Sequence, residues 1–433
     1  MQQQSPKRSN VYAIFIIGML YFVFGFVTWL NGTLIPFLKL ACQLKTDIEA
    51  FFVTFAFYMA YFFLAIPSSY ILKRTGFKNG MALGLVVMAV GSLIFIPAAN
   101  TRNFLLFLIG LFVQGAGLAL LQTAVNPYIS IVGPIESAAK RISIMGICNK
   151  VAGILSPIIL GALVLKNATA IETQIGTATN ELQKTALLDE LASRVITPYI
   201  IITIVLVLVA FLLSRSKLPD MEEAEEHTED TGTSAKTSVF QFPHLLLGVL
   251  CLFLYVGAEV MAGDAIGTYG KAMGMKLEQT KYFTTFTLIA MLVGYVVGIF
   301  TIPKIISQQK ALSISAILGL IFTIGVYVSS GYMSIIFIAL LGLANALMWP
   351  AIFPLAIDGL GKFTKIGSAL LIMGIAGGAL LPLLYGTLKD KAGVSNELSF
   401  LICMLPCYVY ILYYSVKGYM AGKKVKVPVR SFA

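Results

Sequence analysis

The sequence is poor in charged residues and in the residue types that most often do chemistry. Only 12% of its 433 residues are charged, whereas soluble globular proteins carry about 25%. A soluble globular protein is therefore excluded. The two histidines, His227 and His244, stand apart from any nucleophile in the sequence, and we find no Walker loop or metal-binding motif. We predict that the protein is not an enzyme and uses no cofactor or metal.

Cysteine is also scarce, and its spacing excludes two further classes of protein. The five cysteines mostly lie in apolar segments and do not have the spacing of metal ligands; they are Cys42, Cys148, Cys251, Cys403 and Cys407. Disulfide scaffolds and zinc sites need regularly spaced cysteines. We therefore predict neither a disulfide framework nor a metal cluster.

Long hydrophobic runs are what the chain has instead. Hydrophobic residues make up 58% of it, and about 20 of them in a helix cross the hydrocarbon core of a bilayer. Twelve runs reach that length, and they cover 11–38, 49–72, 79–98, 103–132, 140–165, 194–214, 243–270, 280–304, 309–328, 333–360, 365–387 and 396–419. The sequence therefore predicts an all-α integral membrane protein with twelve transmembrane helices, surrounded by membrane lipids.

One strongly polar segment, 215–242, interrupts these runs near the middle of the chain. Its acidic and small polar residues are typical of a flexible, solvated linker on the cytoplasmic side. The segment divides the runs into six and six. We predict an N-terminal six-helix bundle over 1–214 and a C-terminal six-helix bundle over 243–433, which ends in a short basic tail.

The basic residues indicate how the chain is oriented. A formal net charge of +11 would suggest nucleic-acid binding in a soluble domain, but here Lys and Arg fall mostly in short loops. More of them lie on the side that holds the N-terminus, and such loops face the cytoplasm. We predict no nucleic-acid partner, a bacterial inner membrane, and both termini in the cytoplasm.

Two carboxylates lie at membrane depth in the run 243–270, namely Glu259 and Asp264. An ionisable group there costs about 2.5–3.5 kcal/mol and usually faces a polar cavity or a partner. The two acids therefore indicate a site for a solute or an ion. Asp264 taken alone is also compatible with a helix end that meets water.

Lys150 is the third ionisable residue at membrane depth. It lies about ten residues into the fifth run, roughly 15 Å at 1.5 Å per residue, which is deep for a lysine that must reach water. A buried ammonium group keeps its charge beside an acid. We hypothesise that Lys150 pairs with, or competes for, Glu259 or Asp264. The alternative is a purely structural salt bridge or an ammonium group in a wet cavity.

Amide side chains recur in the apolar runs at positions that share a helix face. Gln122 and Asn126 are four residues apart, as are Asn345 and Trp349, and a proline follows each pair. This echo between the fourth and tenth runs indicates parallel repeats with a site between the halves at mid-membrane. Amides, carboxylates and an aromatic plate suit the hydroxyls and the apolar face of a sugar. The alternative is that the amides only join neighbouring helices, at about 0.6 kcal/mol each.

The chain resembles the major facilitator superfamily, and specifically its fucose/galactose/glucose symporter family. The resemblance covers nearly the whole chain and rests on five segments, which are 24–31 with 34–36, 121–128, 148–149 with 156–157, 255–260 and 342–353. It implies uptake of a hexose (glucose, galactose or mannose class), driven by a sodium or proton gradient.

Four positions depart from the family pattern. Gly32 stands where family members usually carry an Asp, and Gln122 stands where the fucose-type branch has a Glu. Lys150 replaces a small residue, and Asp264 is unusual at its place. Aligning the two halves sets Gly32 opposite Asp264, as if a carboxylate had moved from one half to the other. The family's ion coupling is therefore not transferred directly to this chain.

We assign candidate roles to ten side chains. Glu259 accepts hydrogen bonds from sugar hydroxyls or couples to the ion, the amides orient the sugar, and Trp349 stacks on it. The substrate-binding candidates are Asn31, Gln122, Asn126, Asn149, Tyr255, Glu259, Asn345 and Trp349. The coupling candidates are Lys150, Glu259 and Asp264.

Several functions stay open on the sequence alone. The sequence does not decide which hexose is carried, or whether sodium, protons or no ion is coupled; we expect a monomer. A drug or organic-cation exporter predicts a wide apolar pocket and no competition by sugars. An ion-independent sugar uniporter and a transport-silent sugar sensor are also compatible with the sequence, although the short linker and tail argue against the sensor.

Overall fold

The computed structural model describes residues 6–131, 138–178, 180–216, 218 and 237–423, and this part of the chain is almost entirely helical. Its first half contains eight α-helices, which are α1 Pro6–Thr28, α2 Asn31–Ala41, α3 Asp47–Thr101, α4 Phe104–Ile131, α5 Ala138–Val164, α6 Ala168–Thr177, α7 Glu181–Ser193 and α8 Ile196–Arg215. Its second half contains ten, which are α9 Pro243–Gly263, α10 Ile266–Ala272, α11 Leu277–Thr280, α12 Phe283–Thr301, α13 Gln308–Val328, α14 Gly331–Asn345, α15 Met348–Ile357, α16 Thr364–Met373, α17 Gly377–Asp390 and α18 Asn396–Val416.

Eleven helical segments among the described residues are long and apolar enough to cross a membrane. The longest, Asp47–Thr101, bends at Gly76, where φ is 74° and the backbone favours glycine. The predicted runs 49–72 and 79–98 lie on either side of this bend, so all twelve predicted spans have a counterpart. The predicted all-α transmembrane fold is confirmed.

The first and seventh spans are each interrupted by a break between two helices. The first span breaks at Trp29 and Leu30, between α1 and α2, and the seventh breaks at Asp264 and Ala265, between α9 and α10. A break frees backbone groups that need new partners inside a membrane. Two threonines of α12 provide them, since Thr284 and Thr287 donate hydrogen bonds of 2.8 Å to the carbonyls of Gly263 and Ala262. Broken helices at matching places in two halves are typical of a binding site.

The two halves pack first within themselves and then against each other. In the first half α3 packs on α4 and α8, and α1 packs on α5; in the second, α13 packs on α14 and α18. The halves meet where α12 packs on α5 and where α16 and α17 pack on α3. The division at 215–242 stays a prediction, because residues 217 and 219–236 of that linker lie outside the described residues.

Candidate functional site

A central cavity lies where the two halves meet. Aromatic, amide and charged side chains from both halves line it, together with a few apolar ones; they are Tyr21, Phe24, Thr28, Trp29, Tyr58, Tyr61, Gln122, Asn126, Ile142, Gly146, Asn149, Lys150, Tyr255, Val256, Glu259, Val260, Tyr295, Trp349 and Ile375. Seven of the ten predicted site residues are among them. The other three, Asn31, Asp264 and Asn345, are buried behind the cavity wall.

An ion pair joins the halves across the cavity. The Nζ atom of Lys150, on α5, lies 2.9 Å from Oε1 of Glu259, on α9. The two side chains are only 6% and 12% exposed. Two charges removed from water to this degree stabilise each other only as a pair, because either one alone leaves an uncompensated charge. Each charge therefore depends on the other, and the pair joins α5 to α9.

Trp29 lies beneath this ion pair, at the break of the first span. The Lys150 ammonium is 4.3 Å from the centroid of its ring, a cation–π contact. The ring nitrogen donates a 3.2 Å hydrogen bond to Oδ1 of Asn149. The ring also packs against Gly153 of α5 and Gly263 of α9, and a Cβ atom at Gly153 would lie 2.5 Å from it. Glycine at both positions therefore allows the ring to fit between the halves.

The predicted amides of α4 form a chain of hydrogen bonds along the cavity wall. The hydroxyl of Tyr21 donates to Oδ1 of Asn126 at 2.5 Å, and the Asn126 amide donates to the carbonyl of Gln122 at 3.0 Å. The Gln122 amide in turn donates to the hydroxyl of Tyr61 at 3.1 Å. These bonds connect α1, α4 and α3. They fix the direction in which each amide presents its remaining hydrogen-bonding atoms.

Asp264 lies at the break of the seventh span and is 1% exposed. Its Oδ2 atom accepts a long hydrogen bond of 3.4 Å from the hydroxyl of Tyr58, and its Oδ1 atom has no hydrogen-bond partner among the described residues. The carboxylate also interacts electrostatically with Lys150, Glu259 and the backbone of Gly32. The two positions that the sequence sets opposite each other, Gly32 and Asp264, therefore lie side by side.

Asn31 and Asn345 contact the protein interior instead of the cavity. Asn31 is fully buried, and both of its side-chain polar atoms lack a hydrogen-bond partner in the described ranges. Asn345 is also fully buried, and its Oδ1 atom accepts a 2.9 Å hydrogen bond from the hydroxyl of Tyr408. The cavity as it stands does not include either amide, so their predicted role as sugar ligands stays a prediction.

Aromatic rings make up more of the wall than the sequence indicated. Trp349, the predicted plate, lies 6.4 Å from the ring of Tyr255 and stacks on Phe353 at 5.9 Å. Sequence reasoning gave no role to Tyr21, Trp29 or Tyr295. Trp29 had a signal, since it is one of two tryptophans and stands two residues before Asn31. Tyr21 and Tyr295 had none, because neither lies in a polar motif.

Ion pairs tie the halves together on the face opposite the start of α1, which we term the far face. Asp47, at the start of α3, is held by Lys39 of its own half and by Lys389 of the other. Asp390, beside Lys389 on α17, accepts the backbone N–H groups of Asp47 at 2.8 Å and Ile48 at 3.1 Å. A carboxylate is favoured at such a helix N-terminus. We term Asp47, Lys389 and Asp390 the far-face latch.

Further contacts between the halves reinforce the far face. Lys271 lies 2.6 Å from Glu172, and the carboxylate of Glu278 accepts the backbone N–H of Thr169 at 2.6 Å. Lys281 donates to the carbonyl of Leu165 at 3.2 Å. In each of these contacts one residue comes from the first half and one from the second. The two halves are therefore held together on this face of the cavity.

Residues 17–384 match the model of the family described as the Major Facilitator Superfamily. A glucose/galactose transporter of Brucella abortus is 32% identical over 419 residues, which cover 96% of each chain. An L-fucose-proton symporter of Escherichia coli is 28% identical and covers 93% of each chain. The crystal structure of the transporter FucP in its outward conformation superposes with a TM-score of 0.74 at 28% identity, covering 94% of this chain and 98% of FucP.

Proposed function

Because this chain belongs to the Major Facilitator Superfamily, we propose that it takes up a hexose of the glucose, galactose or mannose class. The observation that carries the proposal is the cavity between the halves, in which amide, carboxylate and aromatic side chains converge. A pocket with a few convergent polar groups among aromatic ones is the usual form of a small-molecule site. Relatives named as glucose/galactose transporters extend over almost the full chain and support the same substrate class.

Three predictions from the sequence are confirmed by these relatives. The resemblance to the fucose/galactose/glucose symporter family holds, since both glucose/galactose transporters and L-fucose-proton symporters match along the chain. The major facilitator fold holds, since FucP superposes on it. The protein is a transporter and not an enzyme, as its relatives are.

The geometry supports specific roles for the cavity residues. Glu259 accepts hydrogen bonds from sugar hydroxyls, in competition with Lys150, and Tyr255 lies close enough to Glu259 to interact with it. Gln122, Asn126 and Asn149 orient the sugar through amides that both donate and accept. Trp349 and Tyr255 offer rings for the apolar face of the sugar. Asn31 and Asn345 join this set only if the halves rearrange.

Transport by alternating access requires the two halves to separate on one face at a time. The far-face latch holds the halves together on one face, and Lys365 of α16, over the ring of Phe77, joins them near the face that carries the start of α1. We propose that a monomer in the inner membrane carries out this cycle, with a cation entering together with the sugar.

The decisive experiment is uptake of labelled glucose, galactose, mannose and fucose into proteoliposomes. It is run under a sodium gradient, a proton gradient and no gradient, with empty liposomes as the control. We expect accumulation of at least one hexose under one of the gradients.

Two outcomes would favour a different function, and a third would contradict hexose uptake itself. Equal uptake without any gradient would make the protein a uniporter, with Lys150 as a built-in cation. Transport of organic cations without competition by sugars would favour an exporter. Absence of uptake of all four sugars, in a preparation shown to be folded, would contradict the proposal.

A further inference from the structure

Three charged side chains share the region where the broken first and seventh spans meet, and their charges do not balance. Lys150 is the single cation of the group, and Glu259 and Asp264 are the two anions. The Lys150 ammonium lies against Glu259 at 2.9 Å and over the face of Trp29. Its charge is therefore matched by Glu259, and the carboxylate of Asp264 is in excess.

Asp264 is poorly placed to keep a charge without help. It is 1% exposed, and its Oδ1 atom has no hydrogen-bond partner within the part of the chain that the structure describes. A buried carboxylate in this position either takes up a proton or binds a cation, because an unpaired charge removed from water is very unfavourable. The unpartnered oxygen marks the atom where this happens.

The groups around Asp264 favour a proton over a metal ion. From α3 the hydroxyl of Tyr58 donates to it, and from α2 the backbone of Gly32 interacts with it. Glu259, on its own helix, and Lys150, on α5, are the charged groups that face it. The hydroxyl of Thr284, on α12, is already used as a donor to the carbonyl of Gly263. A hard cation needs several oxygen ligands at once, whereas most of the polar groups around Asp264 are hydrogen-bond donors.

On the basis of the proposed hexose uptake, we propose that Asp264 carries the coupling proton, one for each sugar, and that Lys150 is the fixed countercharge of Glu259. Asp264 binds the proton at Oδ1 when the far face is open and becomes a neutral carboxylic acid. It releases the proton to the other side when the opposite face opens. No other bond is made or broken.

The position of Asp264 explains how proton binding affects the halves. Its carboxylate links the break of the seventh span to the break of the first through Gly32, and to α3 through Tyr58. When ionised, Asp264 competes with Glu259 for Lys150, whereas the neutral acid leaves the Lys150–Glu259 pair intact. Protonation therefore decides whether Lys150 of the first half is held by Glu259 alone or by both carboxylates of the second half.

The test compares the wild type with Asp264→Asn in proteoliposomes. One proton per sugar allows a gradient of one pH unit to drive accumulation of up to about tenfold, since 1.4 kcal/mol is tenfold. We expect the wild type to approach this limit and to take up protons from a lightly buffered medium when sugar is added. In Asp264→Asn the accumulation ratio should fall to about one and the sugar-induced proton uptake should disappear.

Two controls separate a loss of coupling from a loss of folding or binding. Asp264→Asn should still exchange labelled for unlabelled sugar at equal pH on both sides, at a reduced rate. Asp358→Asn makes the same chemical change at an exposed ion pair with Lys423, distant from the cavity, and should keep proton-driven accumulation. If Asp264→Asn does not fold, Asp264→Glu retains the carboxyl group and should retain proton-driven accumulation.

The outcomes distinguish this inference from the proposed function. Absence of hexose transport by the wild type contradicts the proposed function itself. Proton-driven accumulation that survives in Asp264→Asn overturns the role of Asp264 alone. Accumulation by the wild type that depends on sodium and is insensitive to pH also overturns it, as does uptake that needs no gradient and stops at equal concentrations. Loss of accumulation in both Asp264→Asn and a folded Asp264→Glu overturns it as well, because a carboxyl group would then not be sufficient.

Discussion

At the scale of single residues, Lys150 and Glu259 form a buried ion pair in which each charge depends on the other for stability. Removing one partner of a buried pair leaves an unpaired charge and typically costs about 3–5 kcal/mol, whereas replacing both is often close to neutral. We expect Lys150→Ala to lower the thermal unfolding midpoint of the detergent-solubilised protein strongly. The double variant Lys150→Met, Glu259→Gln should recover most of the loss.

The same variant tests the functional hypothesis about Lys150. Lys150→Ala should change the apparent affinity for sugar or the dependence of uptake on the ion gradient, because it frees Glu259. Unchanged affinity and unchanged ion dependence would contradict a functional role.

For the stability test, the loss in the unfolding midpoint of the double variant is compared with the sum of the losses in the two single variants. Equal values would show that the two side chains do not act as a pair.

The fluorescence of the two tryptophans can report sugar binding in the cavity. The chain has two, Trp29 and Trp349, and both line the cavity. We predict that Trp29→Phe, which leaves Trp349 as the reporter, shows a saturable change of tryptophan fluorescence when the transported hexose is added. A disaccharide at the same concentration serves as control. A signal from Trp349 that is indifferent to every hexose would contradict its predicted stacking role.

At the scale of helices, hydropathy predicted the spans but not their breaks. All twelve apolar runs correspond to spans because a helix of about 20 apolar residues is what a bilayer accepts. The breaks at Trp29 and Asp264 lie inside continuous apolar runs, so hydropathy does not reveal them. They depend on partners distant in sequence, such as the hydroxyls of Thr284 and Thr287 on α12.

The far-face latch is the element that we expect to set the balance between the two access states. Lys389→Ala removes the ion pair that Asp47 makes with the second half. If this weakens closure by about 1.4 kcal/mol, the population open on the far face rises about tenfold. Spin labels at Gln43 and Ala392, in a variant without native cysteines, would report a larger share of long distances.

A neighbouring lysine provides the matched control for this experiment. Lys391 lies two residues further along the chain and is exposed. Lys391→Ala should leave the distance distribution unchanged. Equal distributions in Lys389→Ala and the unmodified protein would show that the ion pair does not hold the face closed.

At the scale of the whole molecule, the sequence predicted most of the cavity wall but not the depth of each side chain. The polar motif repeated in the fourth and tenth spans predicted a site between the halves, and seven of the ten predicted residues line one cavity. The burial of Asn31 and Asn345 was not predictable, because a pattern of four-residue spacing gives the face of a helix and not the depth of the cavity. Which side of the cavity is closed depends on loop contacts such as Lys271–Glu172, which leave no periodic signal.

The excess of one carboxylate over the cations at the centre of the molecule has a consequence for the membrane potential. With Asp264 ionised, the group of Lys150, Glu259 and Asp264 carries one net negative charge in the empty transporter, and with Asp264 protonated this group is neutral in the loaded one. Moving one elementary charge through 100 mV changes the free energy by about 2.3 kcal/mol. If Asp264 carries the proton as proposed, we expect a membrane potential that is negative inside to accelerate the return of the empty transporter and to leave the entry of sugar unchanged.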